Sequence, residues 1–325
     1  MTATATSIST STIFKTNFNK VMEFNRAFDM VPVDPKQYGG YFEDSLGNIQ
    51  FDPFKFIRIP IFRDSPATIR LRLDLIKEEI GELNEAILQN DIIEQRDACA
   101  DILYVVYGMA DVLGISIDDI FTSNIQKKAM NYETINSTSS NTYVDKIFNA
   151  SNQGSKTITN YKYMKNFSSE FLGFDISSKA VSEMISIISD KLNTIYMELE
   201  ANCLNETETE IVNITKKFQI VSENLYDILS WTYIMTIVLG INADDDFDIV
   251  HESNMSKLCS TEADAIATIV DYEAKYRAGT SPYDSPYYYY LHNLDKWIVK
   301  NLSTGKALKN IKYKKVCFKN PRFVF

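Results

Sequence analysis

Apolar residues recur at three- and four-residue spacing along most of this chain, a period that predicts helices. The clearest run is Thr68–Gln89 (TIRLRLDLIKEEIGELNEAILQ), apolar along one stripe and uninterrupted by proline. Asp101–Phe121 (DILYVVYGMADVLGISIDDIF) and Asp227–Phe247 (DILSWTYIMTIVLGINADDDF) show the same period. Gly114 and Gly240 stand where a C-cap would close each helix. The two runs also match each other at a constant offset of 126 positions. They share Asp-Ile-Leu, a Tyr, a Met, a Val-Leu-Gly-Ile run, two aspartates and the final Phe. That density predicts a duplicated helical unit. Val181–Leu204 is the expected counterpart of the Thr68 helix.

The pattern breaks in four places. The start, MTATATSISTSTIF, is Ser/Thr-rich and reads as a tail, not a signal peptide. Tyr38–Pro66, with its Pro, Gly and aromatic residues, reads as an extended loop leading into the Thr68 helix. A stretch rich in Asn, Ser and Thr lies between the halves and reads as a linker. Near the C-terminus, YYYYLHNLDKWIVKNLSTGKALKNIKYKKV carries aromatic and β-branched runs divided by Thr304-Gly305, which predicts a small hairpin. The chain therefore divides into a tail (1–13), a first unit (14–135), a linker (136–160), a second unit (161–282) and a β-rich appendage (283–325). The expected fold is all-α: two units of four-helix type packed as an intramolecular pseudo-dimer, with a small C-terminal β-hairpin.

Composition narrows the chemistry. With 325 residues, 45% hydrophobic, the chain can bury a sizeable core. Its net charge of -10 argues against nucleic acid or an anionic membrane as partner, so a polyanionic substrate needs cations to carry it in. No segment reaches the apolar length of a membrane span, which places the expected protein in the cytoplasm. Four scattered cysteines without a CxxC pair support neither a disulfide framework nor a thiolate zinc site. Two histidines, His251 and His292, make a Ser/His/Asp triad a poor candidate. A bound metal would have to be held by carboxylate oxygens, which suits Mg²⁺ or Mn²⁺.

Carboxylates of that kind cluster in the first unit. Glu79 and Glu82, three apart, share a helix face within a group that includes Glu78 and Glu85. On the next helix Asp97 and Asp101, four apart, also share a face, and Asp101 sits inside an apolar run. A Glu-rich face is ordinarily solvated surface. An aspartate embedded in an apolar stripe is different, because it needs a proton, a cation or a metal. Two antiparallel helices presenting these four acids would form a pocket for Mg²⁺. Each unit also carries Ser-Asn-x-x-Lys after the repeat, with Asn124 and Lys127 in the first and Asn254 and Lys257 in the second. Such a pair can hydrogen-bond a sugar or base and neutralise a phosphate. Lys77, Arg70 and Arg72 are further cationic candidates, although surface snorkelling explains them equally well.

RLRLDLIKEEIGELNEAI followed by DACADILYVVYGMADVLGI resembles the all-α NTP pyrophosphohydrolases, the MazG-like and phosphoribosyl-ATP pyrophosphohydrolase-like group. Their signature is EExxE followed by ExxD. FNRAF (Phe24–Phe28) resembles their opening helix, and HESNMSKL (His251–Leu258) and TGKALKNIKY (Thr304–Tyr313) resemble their C-terminal part. The resemblance implies Mg²⁺-dependent cleavage of a nucleoside triphosphate to monophosphate and pyrophosphate, as nucleotide-pool housekeeping. It makes Glu79, Glu82 and Asp101 metal ligands. Ala98 stands where the family has glutamate, and Asp97 is the candidate substitute. Glu78 would orient the attacking water, or support the ligands, and Lys77, Asn124, Lys127, Asn254 and Lys257 would bind substrate. In the second unit Glu223 and Asp227 correspond to Asp97 and Asp101. Aligning Glu198-Leu199 with Glu82-Leu83 puts Ile195 in the place of Glu79, so that unit is expected to be degenerate. The oligomeric state is left between a monomer and a homodimer. Hydrolysis of phosphoribosyl-ATP or a nucleoside diphosphate, and a non-catalytic nucleotide-binding scaffold, are the alternatives.

Overall fold

The computed structural model describes residues 16–28, 41–43, 49–51, 66–118, 120, 181–200, 210–292 and 294–318. Among these, seven helices and two small antiparallel sheets follow one another. They are α1 (Asn17–Ala27), β1 (Tyr41–Glu43), β2 (Ile49–Phe51), α2 (Pro66–Leu88), α3 (Ile92–Leu113), α4 (Val181–Glu200), α5 (Glu210–Val238), α6 (Ala243–Met255), α7 (Glu262–Arg277), β3 (Pro286–Leu291) and β4 (Lys296–Asn301). The all-α expectation holds, with the hairpin near the C-terminus. Most of Tyr38–Pro66 lies outside the described residues, as do the stretches 1–13 and 136–160.

Sequence sets the ends of the helices that carry the site. Asn90, in left-handed backbone (φ 55°), reverses the chain after α2. Asp91 then caps α3 by accepting from the amides of Ile93 and Glu94. Gly114 (φ 72°) closes α3 and Gly240 (φ 71°) closes the turn after α5. The hydrogen bonds there correspond pair by pair. Gly114 N–H donates to Asp111 O and Gly240 N–H to Ile237 O, each at 3.1 Å, while Ile115 donates to Ala110 O and Ile241 to Thr236 O, each at 2.8 Å.

Packing buries the stripes against one another. α2 pairs with α3 and α4 with α5; α3 also packs on α5, α2 on α4, and α1 and α6 on α3. One apolar cluster runs through α1 to α6. At its middle the Tyr107 and Tyr233 hydroxyls lie 2.8 Å apart, 126 positions separated in sequence. Burial along α3 repeats along α5 at the same offset: Ile102 matches Ile228, Leu103 matches Leu229, Tyr107 matches Tyr233 and Met109 matches Met235, all of them buried. α3 is also tied to α6 by Arg96, which donates from Nε to Asp246 Oδ2 at 2.8 Å.

The C-terminal part builds a separate small core of Cys259, Ala265, Val299 and Leu308, where α7 packs on the hairpin. The hairpin itself differs from the sequence expectation. β3 pairs with β4 from Pro286↔Asn301 to Leu291↔Lys296, so the reversal falls between Leu291 and Lys296, with Asp295 in left-handed backbone (φ 52°). Thr304-Gly305 comes after β4, where Gly305 (φ 67°) turns the chain back so that Ala307 bridges Lys300. Among the described residues no single helix is long and apolar enough to cross a membrane.

Candidate active site

α2 and α3 bring four carboxylates together. Glu79 and Glu82 project from one face of α2, while Ile76, Ile80 and Leu83 on the other faces enter the core. α3 answers with Asp97 and Asp101, both half-buried, whereas Ala98 is packed in the core at 3% exposed. Asp97, not position 98, is therefore the acid that α3 offers beside Asp101.

The electrostatics show how closely the four crowd. Burial pushes Glu79 up to about 8, and repulsion from Asp101, Glu82, Glu78 and Asp97 adds to it. Burial likewise lifts Asp101 to about 7, with Asp97 and Glu82 adding and Lys257 opposing. Asp97 reaches about 6 through burial and the charges of Glu94, Glu82 and Asp246. Glu82, although exposed, is raised by desolvation first and then by Glu78, Glu94 and Glu85. Glu79 Oε2 and Asp97 Oδ1 are buried without a hydrogen-bond partner. Glu79 and Glu82 share a hydrogen bond, and the buried oxygens left without a partner need a proton or a cation.

The donor set fits Mg²⁺ or Mn²⁺, since every oxygen is hard and two of them lack partners. Among the described residues, no group of three or more acidic, histidine or cysteine side chains is arranged so that it could hold a metal ion as it stands. An open set of a few carboxylates is what Mg²⁺ uses, because it keeps waters and substrate phosphates in its shell.

The second half reaches this site. Lys257, just past α6, donates from Nζ to Asn254 Oδ1 at 2.7 Å and stands 5.6 Å from the centre of the Phe24 ring. Burial drives its pKa down to about 8, helped by Lys309 and Lys306 and opposed by Asp101. Asn254 also hydrogen-bonds Tyr104, whose hydroxyl lies 3.1 Å from His251 Nδ1. Lys77 and Glu78 are exposed on α2, and Glu78 is near enough to raise both Glu79 and Glu82. Asn124 and Lys127 lie outside the described residues.

Tyr104 escaped the sequence reading, and Arg72 is placed differently from it. Tyr104 lies three residues after Asp101, so helical spacing alone places it on the same face. Arg72 is no snorkelling surface residue. At 7% exposed, it donates from Nη2 to Asn25 Oδ1 at 3.2 Å, and Asn25 donates to Asp111 Oδ2 at 2.7 Å. Room for its guanidinium exists because position 108 is glycine: a Cβ there would stand 2.8 Å from Arg72 Nη1.

In the second half the corresponding place is occupied by a cation. Ile69, Leu73, Ile76, Ile80 and Leu83 of α2 match the apolar stripe Val181, Ile185, Ile188, Leu192 and Ile195 of α4, so Ile195 pairs with Leu83. If the halves are copies, the full burial of Ile195 favours this register over the one that sets it in the half-open place of Glu79. In this register Lys191 stands for Glu79 and Thr194 for Glu82. Lys191 Nζ lies 2.6 Å from Asp227 Oδ2. Glu223, in the place of Asp97, is exposed and accepts from Gln219 Nε2 at 3.0 Å.

Comparison with known proteins agrees with the α2–α3 arrangement. The family model described as phosphoribosyl-ATP pyrophosphohydrolase matches residues 58–128, the stretch that contains all four clustered acids. The uncharacterized protein L479 of Acanthamoeba polyphaga mimivirus is 33% identical over 312 residues, covering 95% of this chain and 94% of the viral protein. No solved structure matches. The chain belongs to one family with that viral protein, and residues 58–128 form a domain of the phosphoribosyl-ATP pyrophosphohydrolase type, a MazG-like all-α family.

Proposed function

We propose that this member of the family hydrolyses a nucleoside triphosphate to the monophosphate and pyrophosphate, with Mg²⁺ held by Glu79, Glu82, Asp97 and Asp101. One observation carries the reading: four crowded carboxylates, two with unpartnered buried oxygens, face a half-buried lysine from the other half of the chain. Mg²⁺ would neutralise the phosphates and lower the pKa of the attacking water.

The chain's own residues then have distinct tasks. Glu78, exposed beside the cluster, orients the water and takes up its proton. The water oxygen bonds to the α-phosphorus, the bond from that phosphorus to the bridging oxygen breaks, and pyrophosphate leaves with the electron pair. Lys257 offsets the charge that accumulates on the departing group, and Asn254 holds its ammonium in place. Tyr104 and Phe24, both buried and packed edge to face, back the Lys257 ammonium.

The two halves are read as a duplicated unit packed as a pseudo-dimer within one chain. The first half carries the metal site, and the second contributes Asn254 and Lys257. The matching helix ends and the Tyr107–Tyr233 contact support that reading. Incubation of a panel of nucleoside triphosphates with Mg²⁺, scored for monophosphate and pyrophosphate by chromatography, tests it. Phosphoribosyl-ATP belongs in the panel because the matching family bears its name. Release of orthophosphate alone, or no turnover of any member, would overturn the proposal.

A further inference from the structure

The segment after the hairpin lies against the loop that presents Lys257, and its contacts there are specific. Asn310, 7% exposed, donates from Nδ2 to Ser256 O at 2.9 Å and to Leu258 O at 2.8 Å, the carbonyls on either side of Lys257. Ser253 Oγ donates to Lys314 O at 2.8 Å, and the Lys314 amide donates to Ser256 Oγ at 2.9 Å. On its other side the segment is fixed to α7 and the hairpin. The Leu308 amide donates to Val299 O at 2.8 Å and the Lys309 amide to Tyr272 Oη at 3.2 Å, while Lys306 O accepts from the Asn301 amide at 2.9 Å. Lys309 is thus held next to the residue that clamps Lys257.

The two added lysines rest on aromatic faces. Lys309 Nζ stands 4.7 Å from the Tyr313 ring centre and Lys306 Nζ 5.8 Å from that of Tyr283. Both lie close enough to Lys257 to help lower its pKa, while Asp101 acts in the opposite sense. Lys257 therefore stands between the carboxylates and two further ammoniums. Lys306 and Lys309 are exposed, so their ammoniums and that of half-buried Lys257 are open to a shared anion.

We propose that Lys306 and Lys309, with Lys257, form the site for the β- and γ-phosphates of the substrate and for the pyrophosphate that leaves. The inference rests on the pyrophosphohydrolase reading above and extends it to the C-terminal segment. The carboxylate side, loaded with its metal, engages the reacting α-phosphate, and the lysine side receives the more highly charged end. A diphosphate has the charge and length to span several ammoniums, whereas orthophosphate reaches fewer of them.

Calorimetric titration of the full chain with inorganic pyrophosphate and Mg²⁺, compared with orthophosphate, tests this. Pyrophosphate should bind more tightly than orthophosphate. Lys306→Ala and Lys309→Ala should each weaken it about tenfold or more, the loss expected for a charge-assisted hydrogen bond, and the double variant further. Lys275→Ala, on the exposed face of α7, should leave it unchanged. Wild-type protein that fails to bind pyrophosphate, or a folded double variant that binds it as wild type does, would overturn the proposal. If no triphosphate is cleaved but pyrophosphate binding still depends on these lysines, the hydrolase reading fails and the anion site stands. If triphosphates are cleaved and the double variant keeps both its KM and its pyrophosphate affinity, the anion site fails and the hydrolase reading stands.

Discussion

α2 and α4 present matching apolar stripes to the same core, yet at one equivalent place α2 carries Glu79 and α4 carries Lys191. Burial first, and then the charges of Asp97 and Glu82, lift Asp101 to about 7, whereas Asp227 has an ammonium at 2.6 Å. The first half is electrostatically incomplete without an added cation, and the second carries its own. At that helical position the first half has an acid beside other acids, and the second has a lysine paired with its aspartate.

The sharpest way to break this comparison is a pair of substitutions. Asp101→Asn should reduce triphosphate turnover by about two to three orders of magnitude, as expected for loss of a group acting in the transition state. Asp227→Asn should leave turnover within a few-fold, because it removes a half-exposed ion pair worth about 1 kcal/mol or less. Steady-state kinetics on both variants, with circular dichroism to confirm folding, makes the measurement. Equal losses in two folded variants would mean that both halves carry working sites.

A second difference concerns packing. Among the described residues of the second half, Met184 holds the place of Arg72, Ile237 that of Asp111 and Ile234 that of Gly108, so the Arg72–Asn25–Asp111 network is not repeated there. Gly108→Ala would press a methyl group against Arg72 Nη1, at a cost of about 1–3 kcal/mol. Thermal denaturation should then show a midpoint lower by several degrees, since 1 kcal/mol moves Tm by about 2–4 °C in larger domains. An unchanged midpoint would show that the guanidinium shifts without penalty.

The third substitution inverts the comparison. In an Asp101→Asn background, Lys191→Glu should lower Tm by a few degrees, and Mn²⁺ should recover part of that loss. The new carboxylate would face Asp227 as Glu79 faces Asp101. If Mn²⁺ gives no recovery, Thr194 in place of Glu82 leaves the second half with too few ligands to hold a metal.

The smallest expected effect is a pH dependence. Glu79, Asp101 and Asp97 have folded-state pKa values of about 8, 7 and 6, all above their ordinary ones. Each therefore opposes folding at high pH, and that opposition fades as pH falls through its folded value. Metal-free protein should gain stability between about pH 9 and pH 5 from these groups, and the rise in Tm caused by Mg²⁺ should shrink over the same range. A Mg²⁺ effect that grows as pH falls would contradict the site.

Much of this was legible beforehand, for reasons particular residues make clear. The αL glycines at 114 and 240, and an aspartate inside an apolar run at 101, are local signals that need no partner to interpret. The register of α4 was not legible. An apolar stripe looks nearly the same after a shift of four residues, one helical turn, so the stripe alone admits Ile195 beside either Glu79 or Leu83. The burial of Ile195 and the Lys191–Asp227 contact favour the second. Arg72 was opaque because its burial depends on Gly108 of a different helix. The hairpin reversal was misplaced because Thr304-Gly305 is the stronger turn signal, while Asp295 adopts a left-handed backbone without glycine.

The contact between Tyr107 and Tyr233 has one more implication, concerning order of reaction. Two separate chains meeting through like surfaces would associate as a second-order event and part on dilution. Here the meeting closes a single chain across 126 positions, at an entropic cost of about 4 kcal/mol that no dilution alters. The equivalent positions are also separately encoded. In a pair of identical chains, a lysine at position 191 would force the same lysine into the partner and remove both metal sites together. On the duplication proposed above, a covalently joined pair is free of that constraint, so one half can keep Glu79 while the other settles on Lys191.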